Sequence, residues 1–383
     1  MHGINISNRN SPAFPPKNGR KVKNPILPVL LAGLFLCSHA YAQNLSIKPV
    51  IDQDPNKIRK EAEKSIESNP YENYLSFSYE NDRIGSGEDR FYTSGVRMTY
   101  FNTNVDLPEV FEDVADKVPG FDINDTTATY FTLGQNLYVP SEIDSAQPQA
   151  GDRPYAGWLY GSVGLTTLTS NHVDDVELTL GIVGPEALGE QTQKFIHTHV
   201  TGSPTPRGWA NQLDTEPGVI LSWQRRWPSG FNGEWEVDFG DQWRLRAEPN
   251  VNVSVGNVYT YAGSGLMFTF GPYQGTLQDT PPRVKPAMSG TGYFDVPDQD
   301  WSWYTFAGVD GRAVARNIFL DGNSFDDDGP DVDKKFLVGD AVAGIAFTLN
   351  NYRLSYTANY RTKEFDGQPD DTFFGSLTLT TRF

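Results

Sequence analysis

The end of the chain decides the fold: residues 351–383 read NYRLSYTANYRTKEFDGQPDDTFFGSLTLTTRF. Tyr352, Leu354, Tyr356, Ala358 and Tyr360 alternate with Arg353, Ser355, Thr357, Asn359 and Arg361. After a polar break, Phe373, Gly375, Leu377, Leu379, Thr381 and Phe383 alternate with Phe374, Ser376, Thr378, Thr380 and Arg382. A period of two puts each set on one face of a sheet. One face is then mostly aliphatic and aromatic, the other mostly hydroxyl, amide and guanidinium. A soluble sandwich alternates in the same way, so the medium outside the apolar face has to be read from the rest of the chain.

The other end supplies that reading. Arg9, Lys17, Arg20, Lys21 and Lys23 form a basic region without acidic residues, residues 26–37 are apolar, and Ala40-Tyr41-Ala42 is a small-x-small site before Gln43. Residues 1–42 are thus expected to be a secretory signal peptide, too short for a stable membrane span. A lipoprotein signal at Cys37 is disfavoured by Leu36, where a small residue is wanted. Cys37 is the only cysteine, so the exported chain has no thiol chemistry. Cleavage also takes five positive charges and moves the formal net charge from −17 to −22. That excludes nucleic acid as a natural partner, since phosphates need a basic surface.

Export, aromatics near strand ends and a final amphipathic strand ending in Phe383 tell against the sandwich. The closing strand resembles the C-terminal signature of bacterial outer-membrane barrels. Aromatics make up 13% of the residues while the mean hydropathy is −0.47, as expected of strands with one face in lipid and one in water. No later run of eighteen apolar residues occurs, so no membrane-crossing helix is expected.

About twelve alternating runs lie between 73–81 and 371–383, and 232–256 reads either as one long strand or as two short ones. An even count closes an all-β, antiparallel up-and-down barrel with both termini on the periplasmic side. The expected organisation is a signal peptide over 1–42, a periplasmic arm over 43–72 and an outer-membrane barrel over 73–383. Within the arm, residues 53–70 read as a short charged helix or a flexible segment. Parity puts the long connections 103–128 and 272–300 on the periplasmic side, where turns are usually short. The acidic stretch 321–335 fails the calcium-loop pattern, because Lys335 stands where a Glu is required, and reads as a solvated loop.

The loops after the first, third and fifth strands share the outer rim and hold the unusual residues. With Leu75, Phe77 and Tyr79 facing lipid, extending the alternation points Glu80 and Asp82 inward. With Val96, Met98 and Tyr100 facing lipid, Thr93, Gly95 and Arg97 point inward too. Asp82 and Thr93 are therefore expected to share the lumen near one turn. Carboxylate and amide oxygens there suit Ca²⁺, and an ion pair with Arg83, Arg90 or Arg97 is the competing reading. Of the histidines beyond the leader, His172 reads as solvated in a turn. Residues 186–200 read as a helix that puts Gln193 and His197 on one face, where a neutral imidazole activates water. No Gly-x-Ser-x-Gly elbow or other nucleophile motif occurs, so His-activated water with a metal electrophile fits hydrolysis better than a covalent Ser.

Three stretches together resemble a known family, the outer-membrane lipid A 3′-O-deacylases: END with YTSG (80–82, 92–95), GDRPYAGWLY (151–160), and QKFIH with GSPTPRGWANQL (193–197, 202–213). The resemblance implies a twelve-stranded barrel with a Ca²⁺-dependent esterase site at its outward mouth. That site removes a 3′-linked acyloxyacyl group from lipid A, remodelling lipopolysaccharide in the outer leaflet. Asn81 and Asp82 would hold or flank the metal, Thr93 would line the site, and His197, four after Gln193, would be the general base. Two departures stand out. The loop after the third strand has no Lys where the family's enzymes carry one, and Arg153 of GDR stands farther along. One extra residue separates His197 from Gly202-Ser203, and a register shift there would bring His199 inward. The rival readings are an outer-membrane phospholipase, whose known kind uses a Ser–His motif absent here, and a non-enzymatic structural or pore barrel.

Overall fold

A computed structural model describes residues 47–49, 57–68, 71–85, 91–104, 121–202, 205–231, 235–240, 242–272, 279–284, 286, 290–294, 300–325 and 329–383. The expected signal peptide and residues 43–46 lie outside the described residues. Twelve of the described strands close an antiparallel barrel: β2 (Asn73–Asn81), β3 (Phe91–Asn102), β4 (Ala128–Val139), β5 (Ala156–Thr169), β6 (His172–Val183), β7 (Glu216–Arg226), β9 (Trp243–Gly256), β10 (Tyr259–Pro272), β11 (Trp301–Asn317), β12 (Leu337–Leu349), β13 (Tyr352–Arg361) and β14 (Thr372–Arg382). Each pairs with its neighbour, and pairings of β14 with β2 and β7 with β9 close the ring. Two short strands, β1 (Ile47–Pro49) and β8 (Glu236–Phe239), extend the sheet beside the start of β9. The stretch 232–256 is therefore two strands.

The alternation resolves into an apolar exterior and a polar interior. Phe77, Met98, Phe131, Leu133, Leu178, Leu180, Leu221, Leu354, Leu377 and Leu379 stand exposed on the outer face, while Ser76, Ser78, Arg97, Thr99, Thr132, Ser355, Thr357 and Thr378 are buried inside. In water such an exterior would be a large unpartnered apolar surface; in a bilayer it is the lipid-facing band. No described helix is long and apolar enough to cross a membrane. Two-residue turns at Ser170–Asn171 and Asn350–Asn351 mark the periplasmic end, with Ser170 and Asn350 in the left-handed region (φ 53° and 49°).

Both long periplasmic connections are put to use in packing. Phe121 and Ile123 lie over Leu165, Val176 and Trp223 on the outside of the wall. Residues 279–284, 286 and 290–294 of the β10–β11 connection instead fold back into the barrel. There Arg353 donates to the carbonyls of Asp279, Tyr293 and Gly292 (2.8, 3.1 and 2.9 Å). Arg226 pairs with Asp279 at 2.7 Å, and Arg312 and Arg361 both donate to Pro286 O. Buried ion pairs fill more of the interior, such as Arg97–Glu177 at 3.0 Å and Asp340 between Arg312 and Arg361. Helix α1 (Lys57–Ser68) sets Ala62 against Leu168, and Ile66 against the cluster containing Tyr74 and Phe101. The lumen is thus packed, and the periplasmic segments pack it.

Candidate active site

Three strand rows on the outer wall lead to the site. Phe77–Met98–Leu133 is followed toward the outer rim by Tyr79–Val96–Gln135 and then by Asn81–Ser94–Leu137. The first row is exposed, as lipid-facing residues should be. In the third, Ser94 is only 4% and Leu137 only 1% exposed, although both sit on the lipid side of the sheet. Something covers the wall there.

Two helices do so, one on each side of Asn81 and Ser94. Gly375 extends the row beside Asn81, and a Cβ on it would fall 2.6 Å from the Ile84 side chain of helix α2 (Asp82–Gly85). Gly157 extends the row beside Leu137, and a Cβ there would fall 3.1 Å from Ala187 Cβ and 3.3 Å from Gly189 N. Ala187 ends a 3-10 turn that leads through Leu188 into helix α3 (Gly189–Ile196). A Cβ on Gly189 would in turn meet Trp209 at 2.6 Å and Leu137 at 3.1 Å. Glycine at these positions is what lets both helices lie against the strands. Gln135 fastens the second, donating from Nε2 to Ala187 O at 2.6 Å.

Helix α3 turns Gln193 and His197 to its buried side. Trp209, itself buried against Leu137 and Tyr155, donates from Nε1 to Gln193 Oε1 at 2.8 Å. His197 opens a π-helical turn, His197–Thr201, that takes up additional backbone without carrying His199 inward. His199 is exposed, with its ring stacked 4.8 Å from that of Phe195 and its Nδ1 3.1 Å from Phe195 O. His199 is therefore not turned inward despite the extra residue before Gly202. His172 is partly buried, with Nε2 3.4 Å from Asp174, instead of solvated.

The inward reading holds for Glu80 and Arg97, which are lumenal and buried, whereas strand alternation ends before it reaches Asp82. Strand β2 ends at Asn81, so Asp82 belongs to α2, where it is buried at the helix start. In β3 a bulge between Tyr92 and Ser94 interrupts the alternation at Thr93, whose side chain lies outside the described residues, as do those of Arg83 and Arg90. The strand positions that adjoin the helices are outward ones, Asn81 and Ser94. Glu80 is instead tied within the lumen, accepting from Val284 N at 3.2 Å and lying 3.5 Å from Arg283 Nε. Arg153 is also buried on the lumen side, over the Tyr138 ring and 3.2 Å from Glu364, so the wall separates it from the outward row. Ser94 and Trp209 were not singled out from the sequence, although YTSG and GWANQL contain them.

The donor types suit a hard cation. Asp82 offers a buried carboxylate, Asn81 an amide oxygen, and Ser94 in the same row a hydroxyl; no thiolate is present. Among the described residues no cluster of three or more His, Cys, Asp or Glu stands ready as a metal site. A cation at Asp82 would therefore complete its shell with neutral oxygens and water, as Ca²⁺ does readily.

Comparison with known proteins agrees with the architecture. The profile of a family described as outer membrane protein LpxR matches residues 29–383. LpxR from Salmonella typhimurium is structurally similar, with a TM-score of 0.65 at 22% identity over 81% of this chain and 100% of that one. The β domain of the Bordetella autotransporter BrkA aligns over 82% of this chain and all of its own, with a TM-score of 0.39 at 10% identity. No curated protein sequence matches.

Proposed function

Because this outer-membrane barrel belongs to the LpxR family, we propose that it is a lipid A deacylase: an esterase that removes the 3′-linked acyloxyacyl group in a Ca²⁺-dependent reaction. The observation that carries the reading is the placement of the polar groups. Ser94 is buried on the lipid-facing side of the wall, and Gln193 and His197 are buried on the side of α3 turned to that wall. Asp82 is buried at the start of α2, the other covering helix, and all four lie at the outer rim. A site in the lumen would serve a solute. A site on the outside of the wall serves a substrate that lies in the outer leaflet.

His197 accepts a proton from water as the water oxygen attacks the ester carbonyl carbon. The ester C–O bond then breaks, and the proton held on the imidazole passes to the departing sugar oxygen. The products are a 3′-hydroxyl and a free acyloxyacyl carboxylate. Gln193, fixed by the Trp209 N–H, sits one turn before His197 and limits the freedom of that helix face. Asp82 and Asn81 would hold the Ca²⁺, which when bound polarises the carbonyl and stabilises negative charge on its oxygen.

Mass spectrometry of lipid A from cells with and without the intact protein tests the proposal. Loss of the acyloxyacyl mass is expected when the protein is present. Appearance of lysophospholipid in its place would make the protein a phospholipase, and unchanged lipids would leave a non-enzymatic barrel.

A further inference from the structure

Glu80 is the lumenal residue just before Asn81 and Asp82, and the segment that grips it comes from the far end of the barrel. Ser78 donates to Pro282 O at 2.9 Å, and Glu80 Oε1 accepts from Val284 N at 3.2 Å with Arg283 Nε 3.5 Å away. The gripping segment is braced against several other strands. Arg226 of β7 binds Asp279, Arg312 of β11 and Arg361 of β13 both reach Pro286 O, and Arg353 of β13 takes three carbonyls. The ladders of β2 with β3 and β14 stop at Asn81, opposite Ser94 and Gly375. Beyond that point Asp82 lies outside the strand pairing, so its position depends on what holds the residues just before it.

We propose that Arg283 and Glu80 form a positioning pair: the lumenal residues 279–284, with 286 and 290–294, act as a strut that fixes the rim end of β2 from behind and so places Asn81 and Asp82 at the outer rim. The part of this that concerns catalysis rests on the deacylase reading above. Neither Arg283 nor Glu80 touches the substrate, because both are buried on the lumen side of the wall. The effect reaches Asn81 through one peptide unit and Asp82 through two. A carboxylate buried this deeply is held in place by its charge-assisted partners, and removing one partner frees or displaces it.

Hydrogen exchange followed by mass spectrometry on the purified, folded barrel tests the strut, in parallel with deacylation at varied Ca²⁺. In Arg283→Ala, amides in 81–85 should exchange about 10-fold faster or more while strands β9–β12 keep the parent rates. Deacylation per folded barrel should fall about 10- to 100-fold, the usual effect of losing a group that supports a ligand, and half-maximal activity should need more Ca²⁺. Arg283→Lys, which keeps the charge, should recover most of both. If Arg283→Ala does not assemble, the isosteric Glu80→Gln carries the same expectation of faster exchange at 81–85. Unchanged exchange at 81–85, or equal loosening of every strand, would overturn the strut. A parent protein without deacylation would overturn the functional reading alone, since the exchange measurement still decides the strut.

Discussion

Residues 197 and 199 are both histidines, and only one is buried. His197 is buried on the face that carries Gln193, whereas His199 lies in the open against Phe195. A general base contributes about 10²–10⁴-fold in rate, so His197→Ala should lose at least about 10²-fold of lipid A deacylation while the barrel still shifts on a gel on heating. His199→Ala should stay within a few-fold of the parent; the reverse pattern would move the base. For the metal, Asp82→Asn keeps the shape and removes the charge, so the Ca²⁺ needed for half-maximal deacylation should rise at least about 10-fold. An unchanged Ca²⁺ requirement would remove Asp82 from the ligand set. The four-residue spacing of Gln193 and His197 was legible in the sequence because helical periodicity is local. The environment of Asp82 was not, because strand alternation says nothing once the strand has ended.

At the scale of elements, the candidate site is covered because two helices lie flat on a sheet face that would otherwise meet lipid. Gly157 and Gly375 leave the wall low enough, and Gly189 lets α3 come down on Leu137 and Trp209. An added methyl at Gly189 would sit 2.6 Å from the Trp209 ring, which is fully buried and has little room to yield. Overpacking of this kind typically costs about 1–3 kcal/mol. Gly189→Ala should therefore lift the helix and lower deacylation well beyond any loss of folded barrel, with heat-modifiability as the control. Equal activity per folded protein would mean that helix placement does not matter to the reaction. The strands and their faces were readable from alternation alone. Which part of the outer face is covered was not readable, since it depends on loops returning from elsewhere in the sequence. The bulge at Tyr92–Ser94 was equally hidden, because one extra residue changes the facing without changing the composition.

For the molecule as a whole, the two sides of the wall differ: the outside carries the apolar band and the proposed site, and the inside is filled by buried polar side chains and part of a periplasmic connection. Asp279 anchors the packing, and its titration gives a handle on it. Burial would raise its carboxyl, but Arg226 and hydrogen bonds from Thr291 hold it below the ordinary 3.8. A depressed folded value means that the stabilisation is fully present above about pH 3.8 and is lost as pH falls through the lower folded value. The stability gap between the parent and Asp279→Asn should thus be constant at neutral pH and shrink only below that range, as read from unfolding midpoints against pH. The side chains and connection residues that fill the interior also argue against a porin. Arg353, Arg226, Arg312 and Arg361 hold Asp279, Pro286, Gly292 and Tyr293 within the lumen, in the path an ion would take. In planar bilayers the intact protein should show no steady conductance steps. Replacing 279–294 by a short Gly-Ser linker should produce them, because the charged lumen lining would then face water. Porin-like steps from the intact protein would show that the packing opens in a bilayer and would restore the pore reading.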